Sequence, residues 1–470
     1  MPSRDDLPST PNWLTKRHVR IGFALLLVVS LGFLVNGYLT ATERGGEADL
    51  AQQADLPYDQ RDQVAPPRDG ATVITTSSRP GSQAEIVAFG EEGRVLYYNS
   101  SFRKFFDVDP VEGQPKTVEY VASRELPKEK CPVEAGRDNC ILNSVVRVNL
   151  TSGEETHVFD RVTHKDWHDV DRLGEDRLLI ADIAKDRVFV VNTTTGLTTW
   201  EWDAQSEFSI QSGGFYPDDW THLNDVEKLD DGRITVSLRN QDQVVFIDPE
   251  TGMEENWTLG SEDEYSTLYE QHNPDYIPAE RGGPALLVAD SENNRLVEYE
   301  RQDGEWVRTW GYTSAEIQWP RDADRLPNGH TLVTDSNGRR VFELNQQGEI
   351  VWEVPVDTPY ESERLGTGDE STGGETAREL GLPTVGDVGV SGDVEVEQKR
   401  TNPSRQLWTV IRDSLPSLLV NGVVFIMPAW IGFRDVLTVV GMFGVAGLWV
   451  TVEFYWSAWT LQWPLSRRRD

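Results

Sequence analysis

Basic charge is scarce in this chain, and so is cysteine. Against 78 aspartates and glutamates stand only 44 lysines and arginines, a formal charge of -34 over 470 residues. The deficit is spread along the sequence rather than confined to one tail. Nucleic acid is excluded as a partner on this ground, because phosphate contacts need a basic surface. An acid-rich, lysine-poor chain suits concentrated salt, where screening removes the self-repulsion that opens a compact fold, and it predicts a salt-adapted, halophilic source. The two cysteines, Cys131 and Cys140, lie in a polar loop with no further Cys or His at metal-ligand spacing. A disulfide in an oxidising compartment and two separate thiols both fit them.

Long apolar runs are also few, and each is informative. Ile21 to Leu39 carries no charge and follows Lys16, Arg17, His18 and Arg20. It is too long for a signal-peptide core and reads as an uncleaved anchor, with residues 1–20 in the cytoplasm and 21–39 crossing the membrane. Two further runs, within 413–433 and 436–456, are separated by Arg434 and Asp435 and predict a hydrophobic helical hairpin, followed by a basic tail at 457–470. Three crossings would put Arg467, Arg468 and Arg469 outside, against the positive-inside tendency. Four Asn-x-Ser/Thr tripeptides, at Asn99, Asn149, Asn192 and Asn256, lie between the first and second runs and favour an extracellular soluble portion.

Residues 40–70 and 357–412 are polar and read as linkers, the second acidic, leaving 71–356 as the folded body. No helical periodicity occurs there. Five segments align without gaps, each a strand, a polar turn and a strand: VAFGEEGRVLY from Val87, IADIAKDRVFV from Ile180, VSLRNQDQVVF from Val236, VADSENNRLVE from Val288 and VTDSNGRRVFE from Val333. Their third positions, Phe89, Asp182, Leu238, Asp290 and Asp335, are separated by 93, 56, 52 and 45 residues. The first gap holds two units, the hidden one ending near Ile141 to Leu150. Six units of roughly 50 residues predict an all-β fold, a six-bladed β-propeller.

Of seven histidines, three share a phase. His168, His222 and His272 lie 14, 16 and 18 residues before Asp182, Leu238 and Asp290, in DWHDVD, DWTHLNDV and YEQHNPDY. The next unit has Arg321 and Asp322 at this place. Equivalent points of propeller blades converge on the central axis, so these side chains are expected to face one small volume. Histidines at blade starts also serve as buried hydrogen-bond partners, which is the competing structural reading. His157, His164 and His330 do not share the phase and are expected in loops or at the surface.

The stretch from Asp218 to Asp248, DDWTHLNDVEKLDDGRITVSLRNQDQVVFID, resembles the arylsulfotransferases in its His-x-Asn at a blade start and an arginine after the following strand. Gln271-His272 resembles the family's nucleophile segment and Trp167-His168-Asp169 its earlier histidine segment, so the resemblance covers about residues 160 to 345 of a haloarchaeal-type, membrane-anchored member. It implies a six-bladed propeller that moves a sulfuryl group from an aryl sulfate to a phenolic or other hydroxyl acceptor through a sulfohistidine, with no nucleotide donor and no cofactor or metal. Carried over, His272 is the nucleophile, and His222, Asn224, Arg239 and His168 bind and polarise the sulfate or move protons. Arg321 and Asp322 are substrate-binding candidates by position only. The chain departs from bacterial members in lacking room for their N-terminal β-rich domain. The C-terminal apolar segments suggest a membrane-proximal hydroxyl acceptor, such as a glycan on a lipid carrier. Two other readings stand beside this one: a non-catalytic binding or scaffold propeller, and a propeller using the three histidines as metal ligands.

Overall fold

The computed structural model describes residues 15–43, 46–79, 82–132, 140–314, 316–386, 408, 410, 412, 414–428, 430–457, 459–460 and 466–467. Residues 46–427 make one unit, and residues up to 45 together with those from 428 onward make another.

The larger unit is a six-bladed propeller, each blade an antiparallel sheet. Five blades run consecutively outward from the axis, beginning at Lys104–Pro110, Val170–Arg172, Leu223–Lys228, His272–Ile277 and Pro320–Arg325. The remaining blade is closed by the end of the domain. Its innermost strand is Pro359–Arg364, which pairs antiparallel with Thr72–Thr76, itself followed by Ile86–Phe89 and Val95–Asn99. This corrects the expected boundary at 356, since the first part of the expected linker 357–412 is the strand that closes the ring. The polar stretch 40–70 is likewise partly structured: a helix at Gly46–Ala54 buries Leu50 beside Ile74 and Val87.

Four of the five aligned segments form the second and third strands of their blades, the one from Val87 forms the third and fourth strands of the blade closed by Pro359–Arg364, and the hidden sixth unit supplies Cys140–Asn149. Each middle strand is packed on both faces by neighbouring blades, so it reads as a continuous apolar run. Ile234–Leu238 and Ala285–Asp290 are buried at every position. The outer strand Ile350–Pro355 meets a neighbour on one face only and alternates. Hairpins turn where the backbone goes left-handed, as at Gly232 and Gly329 (φ 102° and 76°). The apolar core is divided into six clusters, one at each blade interface, such as Val188 against Val226 and Val236, or Phe246 against Leu286 and Val288. The axis itself is left to polar groups. Cys131 and Cys140 are joined as a disulfide with Cα atoms 5.7 Å apart.

In the smaller unit, helices at Lys16–Glu43 and Phe433–Trp456 contain the two segments long and apolar enough to cross a membrane. They pair antiparallel, with Arg20 on Glu453 and Phe23 stacked on Trp449 at one end, and Tyr38 against Trp430 at the other. The predicted span at 413–433 is not one continuous helix among the described residues. Its helix covers only Ser417–Ile426, about 15 Å at 1.5 Å per residue, and it belongs to the propeller unit. Val420, Asn421 and Val424 are buried there, and Asn421 donates to Glu292 and accepts from Gln318. A buried asparagine with protein partners on both ends of its amide is ill suited to lipid. The expected C-terminal hairpin is therefore one docked short helix and one long apolar helix. Residues 1–14, most of 387–413 and Arg468 to Asp470, on which parts of the predicted cytoplasmic N-terminus, linker and basic tail fall, lie outside the described residues.

Candidate functional site

The three phased histidines meet at one end of the channel because each stands at the head of an innermost strand. His168 lies two residues before Val170–Arg172, His222 immediately precedes Leu223–Lys228, and His272 opens His272–Ile277. The rings of His168 and His222 are 5.1 Å apart between centroids. Tyr360, on the closing strand, stacks on His168 at 5.7 Å and lies edge-on to His272 at 6.5 Å. Phe106, from the second blade, meets both His168 and Tyr360. His222 and Trp319 hold φ of 46° and 54°, a left-handed backbone that non-glycine residues rarely adopt. Strain of this kind, of order 1–3 kcal/mol each, persists where the surroundings fix it, typically at a site.

Two histidines have defined tautomers. Ser291 has one hydroxyl proton, which it donates to the Pro320 carbonyl at 2.7 Å. Its oxygen therefore accepts from His272 Nδ1 at 2.9 Å, and the lone pair of the imidazole is on Nε2. His222 Nδ1 donates to Asp219 at 2.8 Å, and its Nε2 accepts from Arg239 at 3.1 Å. Burial first, then the neighbouring cations, keep all three rings neutral. His272 is pushed well below the ordinary histidine value by burial and by Arg321 and Arg239. His222 is lowered to about 4 by burial and Arg239, against the opposing pull of Asp219. His168 is lowered by burial and by His222, and its Nδ1 is buried without a hydrogen-bond partner.

Arg321 supplies positive charge without a counter-ion among the described residues. Its guanidinium lies 4.6 Å from the Trp319 ring and 4.7 Å from that of Tyr360, and Phe425 of the docked helix closes a third side at 5.9 Å. One nitrogen donates to Ser77 Oγ at 3.1 Å, while Nε is buried and unpaired. Among the described residues no carboxylate pairs with it, and burial lowers it to about 10. Arg239 is shared between His222 and Glu270, 3.3 Å away. Asn224 donates to the Gln271 carbonyl at 2.9 Å and keeps its amide oxygen unpaired. Asp322 stands apart from this group. It accepts from Thr334 and from the Ser362 amide, tying the last blade to the closing strand. His157 and His330 pair instead with Asp160 and Glu343.

Sequence reasoning missed Tyr360, Trp319, Ser291 and Asp219. A signal for Tyr360 was available, because Trp319 to Arg325 reads WPRDADR and Thr358 to Arg364 reads TPYESER, so Tyr360 is the register mate of Arg321. The same comparison exposes an acid at alternate positions of the innermost strands: Asp107 and Asp109, Asp169 and Asp171, Asp225 and Glu227, Asp322 and Asp324, Glu361 and Glu363, with Asp275 alone in the fifth blade. These side chains line the channel behind the histidines.

Fold and site together define a propeller whose channel mouth gathers neutral imidazoles and cationic guanidiniums. Residues 137–278 match the family model for Arylsulfotransferase (ASST), and this segment contains His168, His222, Asn224, Arg239 and His272. No curated protein matches the chain. Among solved structures, a protein of unknown function from Bacteroides caccae is 10% identical over 62% of this chain and 97% of its own, with a TM-score of 0.42. A periplasmic gluconolactonase from Pseudomonas aeruginosa is 16% identical over 63% of this chain and 99% of its own, at 0.40. A virginiamycin B lyase from Staphylococcus aureus is 8% identical over 66% and 91%, at 0.37. These likenesses carry no argument here, and the fold is read from the strand pairing.

Proposed function

We propose that this protein is a sulfotransferase that moves a sulfuryl group from an aryl sulfate to a phenolic or other hydroxyl acceptor through His272. The observation that carries the reading is the Ser291 hydrogen bond, which leaves the lone pair on Nε2 of a buried, neutral imidazole beside two guanidiniums. In the first step Nε2 forms a bond to sulfur as the sulfur–oxygen ester bond breaks, and the aryloxide, a stable anion, departs. Arg321 and Arg239 balance the charge on the equatorial oxygens, where preorganised cations are most effective. In the second step Arg239 turns from His222 to the sulfuryl oxygens, the acceptor hydroxyl gives its proton to the freed Nε2 of His222 and attacks sulfur, and that proton then passes to solvent or to the departing aryloxide. The nitrogen–sulfur bond breaks and His272 returns to its starting state. His222 is oriented for this by Asp219.

The propeller is placed outside the cell and the substrate near the membrane. A disulfide, the tripeptides at Asn99, Asn149, Asn192 and Asn256 and the basic flank before Ile21 support the orientation. Two crossings rather than three also return the C-terminal arginines to the cytoplasmic side, in accord with the charge rule. The docked helix exposes Leu418, Leu419, Val423 and Ile426, between 45% and 61% accessible, an apolar surface next to the site suited to a lipid-linked acceptor.

The test is transfer from a chromogenic aryl sulfate to a phenol by the full chain in molar salt, with His272→Ala alongside. Mass spectrometry after donor alone should find a sulfuryl group on His272. A folded wild type inactive on a panel of aryl sulfates, or a His272→Ala variant of equal rate, overturns the reading in favour of a binding propeller.

A further inference from the structure

Most of the channel carboxylates have a task that the fold explains. Asp107 accepts the amide of Val170 in the next blade at 3.1 Å, Glu227 that of Tyr276 at 3.1 Å, Asp322 that of Ser362 at 3.1 Å and Glu361 that of Val108 at 2.9 Å. Asp169 and Asp171 do the same for Val226 and Lys228. Each bond staples one innermost strand to its neighbour, and acceptors recur where the ring needs them.

Asp324 breaks the pattern. It is 1% accessible, and neither of its oxygens has a hydrogen-bond partner. One oxygen of Asp322 and one of Glu370 are likewise buried and unpaired. Carboxylate oxygens of Asp275, Asp322, Asp324 and Glu370 lie within 4.8 Å of one another. Asp275 and Glu370 also line a cavity of about 70 Å³, walled further by Asp169, Asp225 and Glu227. The nearby guanidiniums do not neutralise the group, because Arg325 is bound to Glu298 at 2.9 Å and Arg364 to Glu343 at 3.1 Å. Three buried carboxylates and the half-buried Glu370, with unpaired oxygens on Asp322, Asp324 and Glu370 and one Asp275 oxygen accepting from Ser371, are costly together unless something positive stands between them.

We propose that Asp275, Asp322, Asp324 and Glu370 hold a divalent cation inside the channel, and that the cation is Ca²⁺. The donor set is all oxygen, with no imidazole or thiolate, which selects a hard ion. Ca²⁺ takes roughly six to eight oxygens at about 2.3–2.6 Å from carboxylates, carbonyls and water, whereas Mg²⁺ demands a stricter octahedron and keeps its waters. The placement gives the ion a structural consequence. Asp275 comes from the fifth blade, Asp322 and Asp324 from the last, and Glu370 from the segment that follows the closing strand, so the ion clamps the end of the domain onto the blades next to the closure.

The test uses the full chain in detergent and molar NaCl, freed of metal by chelator and dialysed against radioactive Ca²⁺. Retention of one equivalent per chain is expected, resistant to an equal concentration of Mg²⁺, with a raised melting temperature. Asp324→Asn combined with Glu370→Gln should weaken binding at least tenfold. Glu370→Gln alone, on a segment outside the blades, serves if the double variant does not fold. Absence of retained Ca²⁺ in the folded wild type overturns the proposal and leaves the acids as hydrogen-sharing pairs. Unchanged retention in a folded variant overturns it equally.

Discussion

Replacing Ser291 by alanine separates the geometry of His272 from its mere presence. The serine oxygen accepts from Nδ1 at 2.9 Å and its proton goes to the Pro320 carbonyl at 2.7 Å. Without it, the Nδ1–H tautomer leaves a buried donor unpaired, a penalty of about 1–3 kcal/mol. The ring escapes by rotating or by moving its proton to Nε2, which removes the nucleophilic lone pair. If 1.4 to 2.8 kcal/mol of that penalty falls on the reactive form, kcat/KM drops about 10- to 100-fold, at ~1.36 kcal/mol per decade. His272→Ala abolishes transfer entirely, and Ser291→Thr, which keeps an acceptor, should recover most of the rate. The assay is release of the chromogenic phenol in molar salt, with thermal melting to confirm the fold. A folded Ser291→Ala variant within about twofold of wild type would refute the tautomer argument and with it the assignment of Nε2 as the attacking atom.

Other outcomes follow from the same geometry. Because burial and the two arginines hold His272 well below the ordinary histidine value near 6.5, it stays neutral as the pH falls. The pH–rate profile of kcat/KM should therefore show no loss between pH 7.5 and 6, where a free imidazole would already be half protonated at 6.5. The contribution of His222 to stability should fall as the pH drops from about 6.5 to its folded value near 4, because the unfolded chain binds a proton there that the folded site refuses; the difference in melting temperature between wild type and His222→Gln across pH reads this apart from the buried channel acids, whose raised values act in the opposite direction. Arg321→Met removes a buried cation that no carboxylate among the described residues pairs with, so melting temperature should hold or rise by a few degrees while transfer falls at least about 100-fold. Truncation after residue 356 removes Pro359–Arg364 and leaves the edge of Thr72–Thr76 open. The shortened protein should lose its cooperative melt, as followed by circular dichroism.

How far the sequence reached can be seen blade by blade. Repetition of strand, turn and strand at about 50 residues was legible because each middle strand is sandwiched between two blades and must be apolar throughout. The convergence of His168, His222 and His272 was legible for a related reason, since a shared phase in a closed ring maps to a shared height on its axis. The WPRDADR and TPYESER match would have extended that logic to Tyr360. One feature was not readable. An apolar run such as 413–433 looks the same whether it meets lipid or protein, and only the buried partners of Asn421 distinguish the docked helix.

The one-dimensional pattern thus determined the blade count, the middle strands and the three histidines, all set by local composition and period. The tertiary structure alone decided that a strand from the far end of the domain completes the first blade, that Ser291 fixes the tautomer of His272, and that Asp322 faces the acid-lined channel instead of the histidines. Each of these depends on a contact between residues distant in sequence, created only when the ring closes.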